Sequence, residues 1–335
     1  KCKKYSNVED VRGYMTYLLA SQLEKVVEEN DPDKKYIFVL NRSMIGIDKA
    51  ENREIWVKNI LENIETEKPE INQMAKIILK KGREDSLKRF HPWVFSGAIA
   101  QIVGTPAEGD VVSVYGADGE FLAAGHYQIG SIAVRVLSFD SEVINAGYWE
   151  TMLSKALAVR VATGLATENG NTNCYRLVHG EGDNLPGLII DWYDGVCVMQ
   201  AHSAGMFRAK KQIADALVKV YGDKLKAVYD KSSGTAPFEA GLDLVDGYLY
   251  KRDGFDDNEQ VVTENGHKFI VNWTEGQKTG FFLDQRENRR LVERYAKGRN
   301  VLTLICYTGG FTIYASGAGA VHGDSVDRPA HPMAL

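Results

Sequence analysis

Two glycines and a distant aspartate near the C-terminal end of the chain have the spacing of a nucleotide-cofactor site. Residues 301–306 are almost continuously apolar, which is typical of a parallel strand buried on both faces. Residues 307–310, which include Gly309 and Gly310, permit a sharp turn and a close backbone approach to a ligand before a predicted helix at 311–315. Asp327 lies 18 residues after Gly309, near the distance at which an acidic side chain reaches ribose hydroxyls.

A predicted helix at residues 283–297 precedes this unit and carries most of the nearby charge. Asp284 stands near its start, Gly298 just past its end, and Leu291, Val292 and Tyr295 form the expected buried stripe. Asp284 also fits an ordinary helix N-cap by position alone. The charged residues around it are therefore either ligands or a capped, solvent-facing helix.

The run G-Q-K-T-G-F-F-L-D-Q-R-E-N-R at residues 276–289, followed by C-Y-T-G-G-F at 306–311, resembles one family closely. This is the class I, S-adenosylmethionine-dependent ribosomal RNA methyltransferases with an N-terminal PUA domain, the large-subunit cytosine-C5 methyltransferase I family. K-K-G-R-E-D-S-L-K-R-F-H-P-W-V-F-S-G at 80–97 resembles the opening of its PUA domain. R-L-V-H-G-E-G-D-N-L-P-G-L-I-I-D at 176–191 resembles its central domain, so the resemblance covers about residues 74–327.

The resemblance implies methyl transfer from S-adenosylmethionine to a base, cytosine C5, of large-subunit ribosomal RNA. The residues that it assigns to the cofactor pocket are Tyr307, Thr308, Gly309, Gly310, Phe311, Asp327, Lys278, Asp284, Arg286 and Arg289. Asp327 would accept the ribose hydrogen bonds, and the last four would cap the pocket or meet RNA phosphate.

A second basic segment belongs to the PUA-like region. Its candidate RNA contacts are Lys80, Lys81, Arg83, Lys88, Arg89 and His91. Such a domain would bind RNA by shape and phosphate contacts, although a run of charges is also typical of a plain solvated face. Trp93 and Phe95 could stack on bases, but their alternation with Val94 favours a place in the core.

The pattern predicts a multidomain α/β chain. Residues 1–73 form an N-terminal segment to which we assign no domain, with a predicted helix at 11–30. We assign residues 74–147 to a PUA-like RNA-binding β-barrel. A central α+β domain follows at 148–260, and residues 261–335 begin a Rossmann-like methyltransferase sheet.

Composition sets limits on the partners. The chain has 335 residues and a net charge of -5, so it is not a uniformly basic nucleic-acid protein, and its apolar runs are too short to span a membrane. The four cysteines, Cys2, Cys174, Cys197 and Cys306, lie too far apart for a zinc motif. We expect a cytoplasmic protein without a metal; a homodimer is left open.

The chain also departs from the family it resembles. Cytosine-C5 chemistry needs a thiolate that adds to C6 of the base, and Cys306, placed in the cofactor strand, does not suit that role. Because the sequence stops eight residues after Asp327, we expect an incomplete catalytic domain that binds the cofactor weakly and no assigned nucleophile. The alternative is a non-catalytic RNA-binding protein that uses the barrel. A dinucleotide oxidoreductase is less suitable because G-x-G-x-x-G is absent.

Overall fold

A computed structural model describes residues 74–140, 144–167, 170–237 and 240–327. The chain divides into two compact units, Lys1–Ile71 and Asn72–Leu335, and all the described residues belong to the second. The N-terminal segment 1–73, with its predicted helix at 11–30, lies outside the described residues, as do residues 328–335. Within the second unit, the predicted multidomain α/β architecture is confirmed.

The first part of the described chain is a six-stranded sheet with the order β2-β6-β5-β4-β1-β3. Its strands are β1 (Lys76–Leu79), β2 (Trp93–Phe95), β3 (Ile99–Val103), β4 (Val111–Tyr115), β5 (Phe121–Tyr127) and β6 (Ile132–Ser138). Neighbouring strands are antiparallel except for β1 and β4. Ile77, Val112, Val114 and Val134 are fully buried and form the centre of its core. A short helix, α1 (Asp85–Lys88), lies between β1 and β2.

The central part is a five-stranded sheet with the order β11-β10-β9-β8-β7. Its strands are β7 (Cys174–His179), β8 (Leu188–Tyr193), β9 (Val196–Ala201), β10 (Ala227–Asp230) and β11 (Gly247–Lys251). The helices of this part are α2 (Ala146–Ala162), α3 (Ala204–Arg208) and α4 (Lys210–Tyr221). The Asn145 side chain caps α2 by accepting a hydrogen bond from the Tyr148 amide.

Every residue of β9 is buried because the central sheet is covered on both faces. Cys197 and Met199 pack into the core formed with α2 and α4. Val196 and Val198, which point the other way, pack into a second core with the strands that follow in the sequence. The central sheet thus supports the C-terminal part of the chain directly.

That C-terminal part begins with a hairpin of β12 (Glu259–Glu264) and β13 (His267–Asn272). A 3₁₀ turn (Leu283–Gln285), α5 (Arg286–Ala296), β14 (Asn300–Leu304), α6 (Gly310–Gly317) and β15 (His322–Val326) follow. Strands β14 and β15 are parallel and pair with each other. A strand, a turn, a helix and a second parallel strand therefore form as the sequence predicts.

Two predictions about burial in this part are wrong. Leu291 and Tyr295 of α5 are 50% and 57% exposed, whereas Arg289 and Ala296 are buried. Leu302 and Leu304 of β14 are also exposed, because no described element covers that face of the two-stranded sheet. Apolar character alone did not reveal which face of each element has a neighbour.

Candidate functional site

The turn after β14 has a strained backbone. Ile305, Tyr307 and Gly309 all have positive φ, at 57°, 49° and 72°. Only glycine adopts this region without cost, and strain at other residues is concentrated at ligand-binding and catalytic positions. Helix α6 starts at Gly310, so its first backbone N–H groups lie next to this turn. The predicted Thr308–Gly310 turn, with Phe311 in the first turn of α6, is present.

Asp327 lies beside the same turn. The register of the parallel pair places Val326 opposite Leu304, and the Ile305 amide donates to the Val326 carbonyl at 2.8 Å. Asp327 follows at once and accepts a hydrogen bond from the Tyr307 amide. A carboxylate and a glycine turn separated by 18 residues in sequence are therefore in contact.

The Tyr307 side chain joins this turn to the segment 276–289. Its hydroxyl accepts a hydrogen bond from the Gln277 amide at 2.9 Å and donates to the Gly280 carbonyl at 3.3 Å. Its ring meets Phe282 edge to face, with 5.2 Å between ring centroids. A Cβ at Gly276 would lie 2.9 Å from that hydroxyl and 2.3 Å from the Asn272 carbonyl oxygen, so glycine is needed there for this close approach.

Segment 276–289 is fixed in turn to the central sheet by Thr279. This fully buried hydroxyl donates to Asp191 at 2.6 Å and lies 2.9 Å from the Tyr193 hydroxyl. Asp191 is itself buried and pairs with Arg176 through bonds of 2.8 Å and 3.1 Å. Sequence reasoning missed Thr279 and Asp191; the only signal was their place within the two runs that resemble the family.

The four charged candidates of this segment lie in different surroundings. Lys278 is exposed, and its ammonium lies 4.9 Å from the centroid of the Phe282 ring. Arg286 pairs with Glu287 at 3.0 Å. Arg289 is only 3% exposed and makes two 2.8 Å bonds to the buried Glu264 carboxylate. Arg289 therefore makes its ionic contact inside the protein and is not a solvent-facing charge.

Asp284 is exposed and is not the N-cap that the alternative interpretation assigned to it. It lies within the 3₁₀ turn, and α5 begins after Gln285 without a side-chain cap. Partial burial acts to raise its pKa, but the Gln285 amide, its own backbone N–H, Lys278 and Arg176 together hold that pKa below the usual range. Its carboxylate is therefore ionised at neutral pH.

The predicted basic residues of the PUA-like part occupy one surface segment, 80–91. Lys80, Lys81, Arg83, Lys88 and Arg89 are exposed. Lys88 is paired with Glu120 at 2.9 Å, and the Lys80 ammonium donates to the Gly97 carbonyl at 2.9 Å. His91 is half-buried, and its Nδ1 accepts a hydrogen bond from the Trp93 amide at 3.2 Å.

The aromatic side chains in this region contradict the favoured core interpretation. Phe95 is 47% exposed and Phe90 is 71% exposed, while Trp93 is half-buried and donates its indole N–H to Glu181 at 3.0 Å. Val94 alone of the β2 residues is buried, because the strand is at the edge of the sheet and only one face meets the core. Phe90 also has a positive φ of 62°. Exposed rings among lysines and arginines suit stacking on unpaired bases.

The described cysteines, Cys174, Cys197 and Cys306, are all buried. Burial raises the pKa of the Cys174 and Cys197 thiols far above the ordinary value. Cys306, next to the cofactor turn, is 4% exposed. None of these three thiols is accessible to a substrate, as a nucleophilic cysteine must be.

Two kinds of feature are absent from the parts of the chain that are described. No helix there combines the length and apolar character needed to cross a lipid bilayer. No cluster of three or more His, Cys, Asp or Glu side chains there could hold a metal ion.

The chain matches two family models. Residues 77–139 match a PUA-like domain, and residues 250–334 match an S-adenosylmethionine-dependent methyltransferase. Among curated proteins, the ribosomal RNA large subunit methyltransferase I of Pseudoalteromonas translucida is 40% identical over 254 residues, which are 75% of this chain and 62% of that protein. The protein of the same name from Vibrio vulnificus is 39% identical over 76% of this chain and 64% of its own length. The chain thus spans less than two thirds of the length of these relatives.

Solved structures show the same arrangement. A proposed SAM-dependent methyltransferase from Streptococcus mutans superposes with a TM-score of 0.63 at 25% identity, over 76% of this chain and 63% of that one. A proposed methyltransferase in complex with SAH gives the same TM-score, identity and coverage.

Proposed function

We propose that this chain carries the RNA-binding and cofactor-binding parts of an S-adenosylmethionine-dependent methyltransferase that acts on large-subunit ribosomal RNA in the cytoplasm. The single observation that supports it most is the contact between Asp327 and the strained turn at Tyr307. The likeness of residues 250–334 to a methyltransferase of this class favours this function over a non-catalytic RNA-binding protein.

The residues around the turn fit the chemistry of the cofactor. Asp327 offers carboxylate oxygens to the ribose hydroxyls, and the backbone of Thr308–Gly310 approaches a ligand without bulky side chains in the way. The N–H groups at the start of α6 suit the cofactor's own carboxylate. Tyr307 and Phe311 supply rings at either end of the turn. The bound cofactor would supply an electrophilic methyl group on a positively charged sulfur.

For the acceptor base we propose cytosine, methylated at C5. The proposal rests on the likeness to the large-subunit enzymes and on the run of residues 276–289. Because C5 becomes nucleophilic only after a thiolate has added to C6, and the three described cysteines are buried, we do not assign that thiolate to any of them. The likeness does not decide whether the chain forms a homodimer, which sedimentation velocity would reveal.

Cofactor binding can be measured on this chain by isothermal titration with S-adenosylhomocysteine. We expect Asp327→Asn to weaken binding about tenfold or more, since a charged hydrogen bond to the ribose contributes about 1.5–3 kcal/mol. Asp324→Asn is the matched control, because Asp324 is an exposed carboxylate on β15 that pairs with His322 instead. Equal affinities for the wild type and Asp327→Asn, with unchanged urea-unfolding midpoints, would contradict the assignment of Asp327.

A further inference from the structure

A cleft of about 710 Å³ lies at one edge of the central sheet. Strands β7, β9 and β10 run in the same direction and end at this edge, where Gly180, His202 and Lys231 follow them and line the cleft. Arg135 of β6 lines it from the PUA-like part, and Lys278 lines it from the segment that contacts the cofactor turn. Three parts of the chain thus share one cleft, and ligands commonly bind where parallel strands end.

The cleft carries more positive charge than the chain as a whole. Its charged lining consists of Arg135, Arg176, Lys231 and Lys278 against Glu181 and Asp246, on a chain whose net charge is -5. Arg176 is neutralised by Asp191. The other three cations form no ion pair with any described residue.

Each of those three cations contacts a neutral group instead. Arg135 donates to the Gln128 side chain, Lys231 donates to the Gly276 carbonyl, and Lys278 lies over Phe282. Partial burial lowers the pKa of Arg135 and of Lys231, and the nearby charges of Glu181 and Asp246 offset only part of this effect. A phosphate in the cleft would remove that penalty, because an opposite charge nearby favours the charged form.

Lys278 is held in place by its neighbours on both sides. Its φ of 50° is unusual for a lysine. The Gln277 amide donates to Tyr307, and the Thr279 hydroxyl donates to the buried Asp191. The backbone on either side of Lys278 is therefore held by two contacts, one to the cofactor turn and one to the central sheet. The residue that lines the cleft, Lys278, and the residue that contacts Tyr307, Gln277, are adjacent in the sequence.

The cleft also connects with the basic surface segment 80–91. Trp93, just beyond that segment, donates its indole N–H to Glu181 of the cleft lining. Leu188 and Ile189 add apolar wall, and His202 adds an exposed imidazole whose pKa is lowered by the surrounding protein and by Arg176. Three cations from different parts of the chain that share an open cleft with apolar wall suit a polynucleotide strand better than one small anion.

We propose that this cleft binds one strand of the RNA substrate, with Arg135, Lys231 and Lys278 on its phosphates, and leads the target nucleotide to the turn at Tyr307. The proposal rests on the proposed function for the identity of the polymer. The binding site itself rests on the charges and contacts above.

The test compares RNA binding and cofactor binding in the same variants. The probe is a short fluorescein-labelled single-stranded RNA, measured by fluorescence anisotropy between about 50 mM and about 200 mM salt. Lys278→Gln is expected to weaken binding several-fold and to reduce the slope of log Kd against log salt by about 0.7, the value for one phosphate contact on a single strand. The double variant Arg135→Gln/Lys278→Gln is expected to lose about twice that slope, whereas Lys278→Arg keeps it.

Lys211→Gln is the matched control, because Lys211 is an exposed lysine on α4 outside the cleft. It should leave both the RNA affinity and the salt slope unchanged, and S-adenosylhomocysteine affinity should stay within about twofold in every variant.

Wild-type RNA affinity in the double variant, or an equal loss in Lys211→Gln, would overturn the proposal. The proposal would also be overturned if Lys278→Gln lost affinity for S-adenosylhomocysteine and kept its affinity for RNA, because Lys278 would then bind the cofactor. A chain that binds RNA through the cleft but neither binds the cofactor nor transfers methyl groups would leave the cleft proposal standing and remove the proposed function.

Discussion

At the scale of single residues, His126 joins two parts of the described chain. It lies on β5 and is 4% exposed, and its ring stacks on Trp149 of α2 with 6.3 Å between ring centroids. A Cβ at Gly205 of α3 would lie 2.1 Å from the imidazole. Nδ1 of His126 has no hydrogen-bond partner among the described residues. Burial, followed by the charge of Arg135, lowers its pKa to about 4.

This lowered pKa predicts a loss of stability in mild acid. The unfolded chain binds a proton near pH 6.5 and the folded chain only near pH 4. The neutral His126 therefore contributes about 3 kcal/mol to the free energy of unfolding above about pH 6.5, and this contribution is lost as the pH falls towards 4. Replacing His126 by Phe keeps the ring and should flatten the pH dependence of the urea-unfolding midpoint over this range.

His322→Gln is the control for this measurement, since His322 is 67% exposed. It should leave the pH dependence as in the wild type. A His126→Phe protein with the same pH dependence as the wild type would show that another group causes the loss.

At the scale of elements, α5 is attached to the rest of the chain by a buried ion pair rather than by its apolar side chains. Arg289 pairs with Glu264 at the end of β12 and donates to the Phe282 carbonyl at 3.0 Å. The Tyr314 hydroxyl of α6 donates to the same Glu264 carboxylate at 2.9 Å. One carboxylate therefore connects the hairpin with both helices that flank the cofactor turn.

Breaking this pair should be costly. Arg289→Met leaves Glu264 buried without its partner, and we expect a loss of about 3–5 kcal/mol in the free energy of unfolding. Arg290→Met, a change in an exposed residue of the same helix, should lie within about 0.5 kcal/mol of the wild type. Urea unfolding of both gives the comparison.

A second variant identifies the cause of that loss. Adding Glu264→Gln to Arg289→Met removes the unpaired charge and should recover part of the stability. If Arg289→Met and Arg290→Met were equally stable, the pair would not be what fixes α5.

At the scale of the whole molecule, charge is distributed unevenly. The chain is acidic overall, yet the surface segment 80–91 and the lining of the cleft each carry more basic than acidic side chains. Such local patches determine polyanion binding more than the net charge does.

Reversing three charges of the surface segment tests its part in this arrangement. Lys80→Glu/Lys81→Glu/Arg89→Glu should weaken binding of single-stranded RNA about tenfold or more and make it less dependent on salt. These side chains are exposed, so stability should hardly change. A filter-binding salt series measures both quantities.

The control carries the same change of net charge elsewhere. Lys155, Lys211 and Arg290 are exposed residues of the helices, and reversing them together should have a much smaller effect. Equal losses in the two triple variants would indicate that binding responds to net charge rather than to this segment.

The sequence by itself determined the features that depend on neighbouring residues. A strand, the glycine turn at 309–310 and a helix follow one another after residue 299 as the sequence predicts, because apolar runs and backbone freedom are local properties. Only the tertiary structure decided which side chains are buried. Leu291 is exposed and Arg289 is buried because Glu264, 25 residues earlier, supplies the partner on just one side of α5. The cleft has the same origin: Arg135, Lys231 and Lys278 belong to different parts of the sequence, and only the packing of those parts places their charges around one space.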